Sequence, residues 1–245
     1  MTSARRPASR SAARDRLGAV NERITPASDP TTWGPALDEA VNVLARGGLV
    51  VLPTDTVYGI AADAFSPTAV ARLLAAKGRG RQSPPPVLIP GIPTLDALAE
   101  AVPDEVRALV AAFWPGGLTV ILPARSSLNW DLGDTNGTVA LRMPSNRVAL
   151  ELLSETGPLA VSSANLTGVP AAMTAAEAEA MLGDSVSVYL EDGRAGDDYP
   201  EADAATGSTI VDATALALPD GKLRIVRSGV ISDEAIRGIV GEKCA

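Results

Sequence analysis

Leu49-Val50-Val51-Leu52-Pro53-Thr54-Asp55-Thr56-Val57-Tyr58-Gly59 carries an apolar run straight into a turn of hydroxyls, one acid and a glycine. Upstream, Ala36, Leu37, Ala40, Val41, Leu44 and Ala45 recur at helical spacing and stop at Gly47-Gly48, which predicts a helix over 35–46 with a strand directly after it. Downstream the pattern predicts a helix at 67–76, a short strand at 86–89, helices at 94–101 and 103–113, and strands at 118–122 and 139–143. A helix at 146–155, a strand at 159–162, a helix at 175–182, strands at 187–190, 208–211 and 223–226, and a closing helix at 232–239 follow. The alternation is that of a mixed α/β single domain. Two stretches read as loops, 124–136 and the acidic, glycine-containing 192–206. Residues 34–241 are expected to form the domain, 1–33 a basic, disordered N-terminal tail, and 242–245 a short C-terminal tail.

The 245 residues are 46% hydrophobic and 20% charged, enough to bury a sizeable core. Aromatic residues make up only 3%, so the core is built from small and branched aliphatics, and a surface that stacks bases on exposed rings is disfavoured. Net charge is −8, unevenly spread: residues 1–24 hold six Arg against Asp15 and Glu22, leaving −12 on the remainder. A phosphate site on this chain must therefore be a local basic patch on an acidic body. The chain has no histidine, which excludes Ser-His-Asp hydrolysis, zincin chemistry and Cys-His proteolysis together. Its one cysteine, Cys244, allows no internal disulfide and suits a reducing, cytoplasmic setting. No stretch reaches the roughly 20 apolar residues of a membrane span. The first 20 residues, rich in Arg, Ser and Ala without an apolar segment, are not a secretory signal.

Three strings carry the chemistry. Pro53-Thr54-Asp55-Thr56 offers hydroxyls after a strand, although an isolated string of this kind is more often a turn bonding its own backbone. Lys77-Gly78-Arg79-Gly80-Arg81 reads equally as a cationic helix terminus ended by glycine, but Pro84-Pro85-Pro86 then holds the loop extended. Ser162-Ser163-Ala164-Asn165 supplies hydroxyls and an amide, residue types that also cap helices. Arg142 interrupts the apolar Val139-Ala140-Leu141, and a strand-borne guanidinium must find an anion or reach solvent; Arg227 ends Leu223–Val226 in a comparable way. Fixed cations and hydroxyls with no metal-ligand cluster make an anion pocket, and phosphate is the anion that suits it. Neither a Walker motif nor a strand-linked G-x-G-x-x-G is present.

The ordered strings PTDTVYGI, KGRGRQSPPPVLI, FWPGGLTVIL, VALRMPS, SSANLTG, STIVD and RIVRSGVIS resemble those of the YrdC-like threonylcarbamoyl-AMP synthase family, short form, over about residues 35–238. The resemblance implies a twisted mixed sheet flanked by helices around a large, basic cavity. It implies a nucleotidyltransferase that condenses L-threonine, bicarbonate or carbon dioxide, and ATP into threonylcarbamoyl-AMP and pyrophosphate. Mg²⁺ would be bound through the ATP phosphates, with no organic cofactor. The product would pass to the tRNA threonylcarbamoyl-transferase machinery. Lys77, Arg79, Ser163 and Asn165 would be catalytic and hold ATP together with Thr138 and Arg227; Thr56, Tyr58, Arg142 and Ser208 would bind threonine, Arg142 matching its carboxylate.

The chain departs from the family pattern at Leu88, where a His is frequent, at Gly207, where a Glu is common, and at Ser228, where Pro usually follows the Arg. The extra C-terminal domain of the longer branch is not expected, so closure of the site falls to loops such as 192–206. Rival readings are a paralogue taking another small amine, a module that binds double-stranded RNA without catalysis, and the related domain of a hydrogenase-maturation carbamoyltransferase. The last is disfavoured by one cysteine and no histidine. Weak RNA binding stays compatible with the basic pocket, and the −12 body opposes it.

Overall fold

The fold, taken from a computed structural model, is described for residues 23–202 and 206–245. Of the basic tail expected over residues 1–33, residues 1–22 lie outside the described residues. The chain runs β1 (Ile24–Pro26), α1 (Gly34–Ala45), β2 (Val50–Leu52), β3 (Gly59–Asp63), α2 (Pro67–Ala76), β4 (Val87–Leu88), α3 (Ile92–Leu98) and α4 (Asp104–Phe113). It continues through β5 (Leu118–Pro123), β6 (Thr138–Arg142), α5 (Arg147–Thr156), β7 (Leu159–Ser163), α6 (Ala175–Leu182), β8 (Val188–Glu191), β9 (Thr209–Asp212), β10 (Arg224–Arg227) and α7 (Asp233–Val240). One ten-stranded mixed sheet results, in the order β1-β8-β2-β3-β7-β4-β6-β5-β9-β10.

Two strands differ from the sequence expectation. Residues 24–26, assigned to the tail, form β1 and pair in parallel with Tyr189, Leu190 and Glu191; three residues ending in proline are too short to show a period of two. Residues 59–63, to which the sequence pattern assigns no element, form the antiparallel strand β3, paired to β2 through Val50↔Ala61 and Leu52↔Gly59. Its Gly-Ile-Ala-Ala-Asp composition carries little β-propensity. Gly59 serves a close approach, because a Cβ there would lie 2.6 Å from Val161 Cγ1 on β7. Pro53-Thr54-Asp55-Thr56-Val57-Tyr58 is thus a six-residue hairpin loop, held to the rest of the fold by Tyr58 N–H on the Ala172 carbonyl at 2.9 Å and Ala164 N–H on the Tyr58 carbonyl at 2.7 Å.

Helices cover the sheet unevenly. One core gathers Leu95, Leu98, Val106, Leu109, Ile236 and Val240 against Leu118, Val120, Leu122, Val139 and Leu141. A second packs Leu37, Val43 and Leu44 of α1 and Val148, Leu152 and Leu153 of α5 against Val50, Leu52, Leu88 and Val161. No helix of the described residues is long and apolar enough to cross a membrane.

The end of α2 aims the basic loop. Ser66 caps its start, accepting from Ala69 N–H at 3.4 Å, with Pro67 in the first turn. At its other end Gly78 takes φ +62. Gly78 N–H bonds Ala75 O at 3.0 Å and Arg79 N–H bonds Leu74 O at 2.9 Å, the paired bonds of a Schellman turn. A Cβ at Gly78 would meet nothing within 4 Å. Gly78→Ala is therefore expected to destabilise through backbone conformation alone, by about 1–2 kcal/mol, and to lower Tm by several degrees in a thermal melt. An unchanged Tm would mean that the turn relaxes freely.

Candidate functional site

Where α1 and α5 stop covering their face, the sheet carries a cavity of about 330 Å³. Leu88 and Val161 belong both to the second core and to the cavity wall, so the two are continuous. Alternation along the strands directs Thr119 and Ile121 of β5, and Thr138, Ala140 and Arg142 of β6, to this side. Pro84-Pro85-Pro86, Leu132 and Thr135 complete an apolar part of the wall.

Three guanidinium groups line the cavity, those of Arg79, Arg142 and Arg227, and no carboxylate of the described residues does. Arg79 Nη1 donates to Ser162 Oγ at 3.0 Å. Arg142 Nε donates to Gly116 O at 3.0 Å and Nη1 to Thr56 Oγ1 at 3.1 Å. Arg227 Nε and Nη2 both donate to Ser208 O, at 3.0 and 2.7 Å, and Nη2 also reaches Ser208 Oγ at 3.1 Å. Burial lowers the Arg227 pKa, and the charges of Arg142 and Arg79 lower it further; burial alone lowers that of Arg79. Arg227 therefore feels the other two cations across a common space, and an anion placed there relieves that repulsion.

A carboxylate stands just behind this wall. Asp55, its side chain fully buried, has Oδ2 2.8 Å from Arg142 Nη2. That contact is an ion pair without an aligned hydrogen bond, so among the described residues the buried Nη2 has no directed acceptor. Asp55 Oδ1 accepts from Ser145 N–H at 3.0 Å.

Three sequence-assigned residues direct their polar groups to other parts of the protein. Lys77 and Asn165 do not line the cavity. The Lys77 ammonium donates to the carbonyl of Ser163, to that of Asn165 at 2.6 Å and to Asn165 Oδ1 at 3.1 Å. Asn165 Nδ2 donates in turn to Leu166 O at 3.0 Å and Val169 O at 2.6 Å. Together they stitch the loop after β7 to the end of α2, while the Schellman turn sends Arg79, two residues on, into the cavity. Tyr58 borders the cavity, but its hydroxyl points away, donating to Gly193 O at 2.7 Å and accepting from Asp192 N–H at 3.1 Å. Burial, chiefly, raises its pKa and keeps it a donor.

Thr56, Thr138, Ser163 and Ser208 do line the cavity with the three arginines. Thr138 Oγ1 donates to Thr135 O at 2.8 Å, and Ser208 Oγ lies 2.7 Å from Thr119 Oγ1. Gly207 lets Arg227 lie close, since a Cβ there would sit 3.0 Å from its Nη2. Leu88 fills its place by packing, 3% exposed. Asp55, Ser162 and Thr119 were not among the sequence-assigned site residues. All three lie inside the stretches that carry the family resemblance, but nothing in a linear sequence says which polar residue faces which cation.

A family model described as telomere recombination, the Sua5/YciO/YrdC domain, matches residues 42–229. A Mycobacterium tuberculosis protein is 47% identical over 218 residues, which is 89% of this chain and 95% of that protein. The chain belongs to the Sua5/YciO/YrdC family. A Bacillus subtilis member named threonylcarbamoyl-AMP synthase is 33% identical over 213 residues, 86% of this chain but 58% of its own length. Among solved structures, Pyrococcus abyssi Sua5 complexed with L-threonine superposes with a TM-score of 0.75 at 30% identity, covering 84% of this chain and 57% of that one. The chain thus spans nearly all of the mycobacterial family member and under three fifths of the other two.

Within this Sua5/YciO/YrdC site the Lys77 amine is the group nearest to titrating. Burial, and secondarily the charge of Arg79, push it down to about 8. Its folded value lies below the ordinary 10.5, so between the two the unfolded chain binds the extra proton, and stability from this group rises with pH across that window and is level below it. The stability difference between wild type and Lys77→Met is expected to be constant up to pH about 8 and then to move in favour of wild type toward pH 10.5. Denaturant titrations at a series of pH values check this; a difference constant throughout would give the amine its ordinary value.

Proposed function

We propose that this chain is an L-threonylcarbamoyladenylate synthase, a nucleotidyltransferase acting in tRNA modification. The carrying observation is a cavity with three guanidiniums, hydroxyls and no lining carboxylate among the described residues, in a family whose Bacillus subtilis member bears the synthase name and whose Pyrococcus abyssi Sua5 has been crystallised with L-threonine.

In this reading the threonine carboxylate meets the Arg142 guanidinium where it lines the cavity, with the Thr56 hydroxyl beside it. The amine combines with bicarbonate to give the carbamate, releasing water. A carbamate oxygen then attacks the α-phosphorus, the bond to the bridging oxygen breaks, and pyrophosphate leaves. Arg79 and Arg227, with Ser162, Ser163 and Ser208 around them, neutralise the triphosphate, while Thr138 and the apolar wall of Pro85, Ile121 and Leu132 receive the nucleoside. Such a displacement needs alignment and charge neutralisation more than a titrating base, which suits a chain without histidine. In this reading Mg²⁺ enters as part of the MgATP substrate, held through the ATP phosphates. The product passes in the cytoplasm to the enzymes that transfer threonylcarbamoyl to tRNA.

The test is pyrophosphate release from ATP with Mg²⁺ and bicarbonate, with and without L-threonine, with serine and glycine as alternatives. Threonine-dependent release is expected. Release driven only by another amine assigns a different small-amine substrate, and none with any amine overturns the synthase. Arg79→Ala is expected to lower kcat/KM by about 10²- to 10³-fold, as for a lost charge-stabilising donor, while its melting curve stays near wild type. Lys77→Ala is the poorer probe, because it also unties the loop after β7.

A further inference from the structure

The segment 192–202, between β8 and β9, crosses the molecule beside Arg142 and is tied down along its length. Asn146 Nδ2 donates to Asp192 Oδ2 at 2.9 Å, Ser145 Oγ to Asp198 Oδ2 at 3.2 Å, and Ala195 N–H to Met173 O at 2.8 Å. Tyr199 reaches from it to Gly117 and Asp55. The phenol oxygen accepts from Gly117 N–H at 2.7 Å and donates to Asp55 Oδ2 at 3.4 Å. Gly116 and Gly117 leave room for the ring, since a Cβ on either would lie 3.0 Å from the Tyr199 hydroxyl. Burial, then the Asp55 charge, raises the Tyr199 pKa, so the hydroxyl remains a donor.

The same Asp55 oxygen faces Arg142 Nη2, and Arg142 Nε donates to the carbonyl of Gly116, next to the amide that holds Tyr199. One hydroxyl thus touches Asp55 and the Gly116–Gly117 peptide, two of the three supports of one guanidinium, the third being Thr56 Oγ1. Behind Thr56, a second cavity of about 290 Å³ separates the segment from the body, lined by Thr56, Met173, Gly196, Tyr199 and Val230. Gly196, at φ +89, brings the segment against Thr56, where a Cβ would lie 3.2 Å from the Thr56 carbonyl.

We propose that Tyr199 is a positioning residue for recognition of the amino-acid carboxylate: through Asp55 and Gly117 it fixes the orientation of Arg142, and so sets the affinity for the amino acid without touching it. This rests on the synthase reading, in which Arg142 meets that carboxylate. The nucleotide contacts at Arg79 and Arg227 lie outside this network, so the effect is selective.

Tyr199→Phe keeps the ring and removes the hydroxyl. Its KM for L-threonine in pyrophosphate release is expected to rise roughly tenfold, the weight of one hydrogen bond to a charged partner, with KM for ATP unchanged and kcat within about twofold. A crystal structure of the variant reads the same role without turnover: Arg142 Nη1 should leave Thr56 Oγ1. An unchanged threonine KM, a parallel rise of both KM values, or an Arg142 that stays in place would each overturn the proposal. Absence of threonine-dependent release in wild type overturns the synthase reading instead. The orientation of Arg142 in the variant then still decides the role of Tyr199.

Discussion

Like charges gathered around one cavity are the constraint around which this molecule is arranged. Arg79, Arg142 and Arg227 face one cavity, and Lys77 stands directly behind it. Ion pairs would remove the repulsion and with it the attraction for an anion. The fold satisfies the cations mostly with neutral oxygens: the Ser162 hydroxyl for Arg79, the Ser208 carbonyl for Arg227, and carbonyls of Ser163 and Asn165 for Lys77. Carbonyl and hydroxyl dipoles stabilise a buried cation without cancelling its charge, so the cavity keeps its positive potential. On a chain of net charge −8, that potential is local.

Asp55 is the exception, and its geometry explains how it can be tolerated. It approaches Arg142 at ion-pair distance yet off the line of the Nη2 hydrogens. The pairing lowers the cost of burying the guanidinium while leaving a donor to aim elsewhere, a compromise that a bidentate pair would not allow. The backbone N–H of Ser145 restrains the other carboxylate oxygen, so the acid is held from a second side.

Element positions were largely legible in the sequence, side-chain directions only in part. Helices α2 and α6 sit at 67–76 and 175–182 because their apolar spacing and their caps agree. Strand β3 escaped because Gly59, Ala61 and Ala62 are chosen for close packing against β7, not for β-propensity. The site shows the same division. Arg142 and Arg227 were legible because a guanidinium in an apolar strand needs an anion or solvent. Lys77 and Arg79 looked equivalent in the sequence, and one left-handed glycine between them separates their roles. Tyr199 lay in a stretch read as a loop, and its partners Asp55 and Gly117 are 144 and 82 residues away.

The departures at Leu88 and Gly207 follow from the same packing logic. With Leu88 buried beside Val161 and Leu159, that part of the wall contributes shape and no donor. At Gly207 the missing side chain lets Arg227 fold back onto the Ser208 carbonyl instead of meeting a carboxylate. An acid at 207 would sit against the Arg227 guanidinium and offset its charge. Glycine there therefore favours a more strongly cationic cavity, which attracts an anion more strongly.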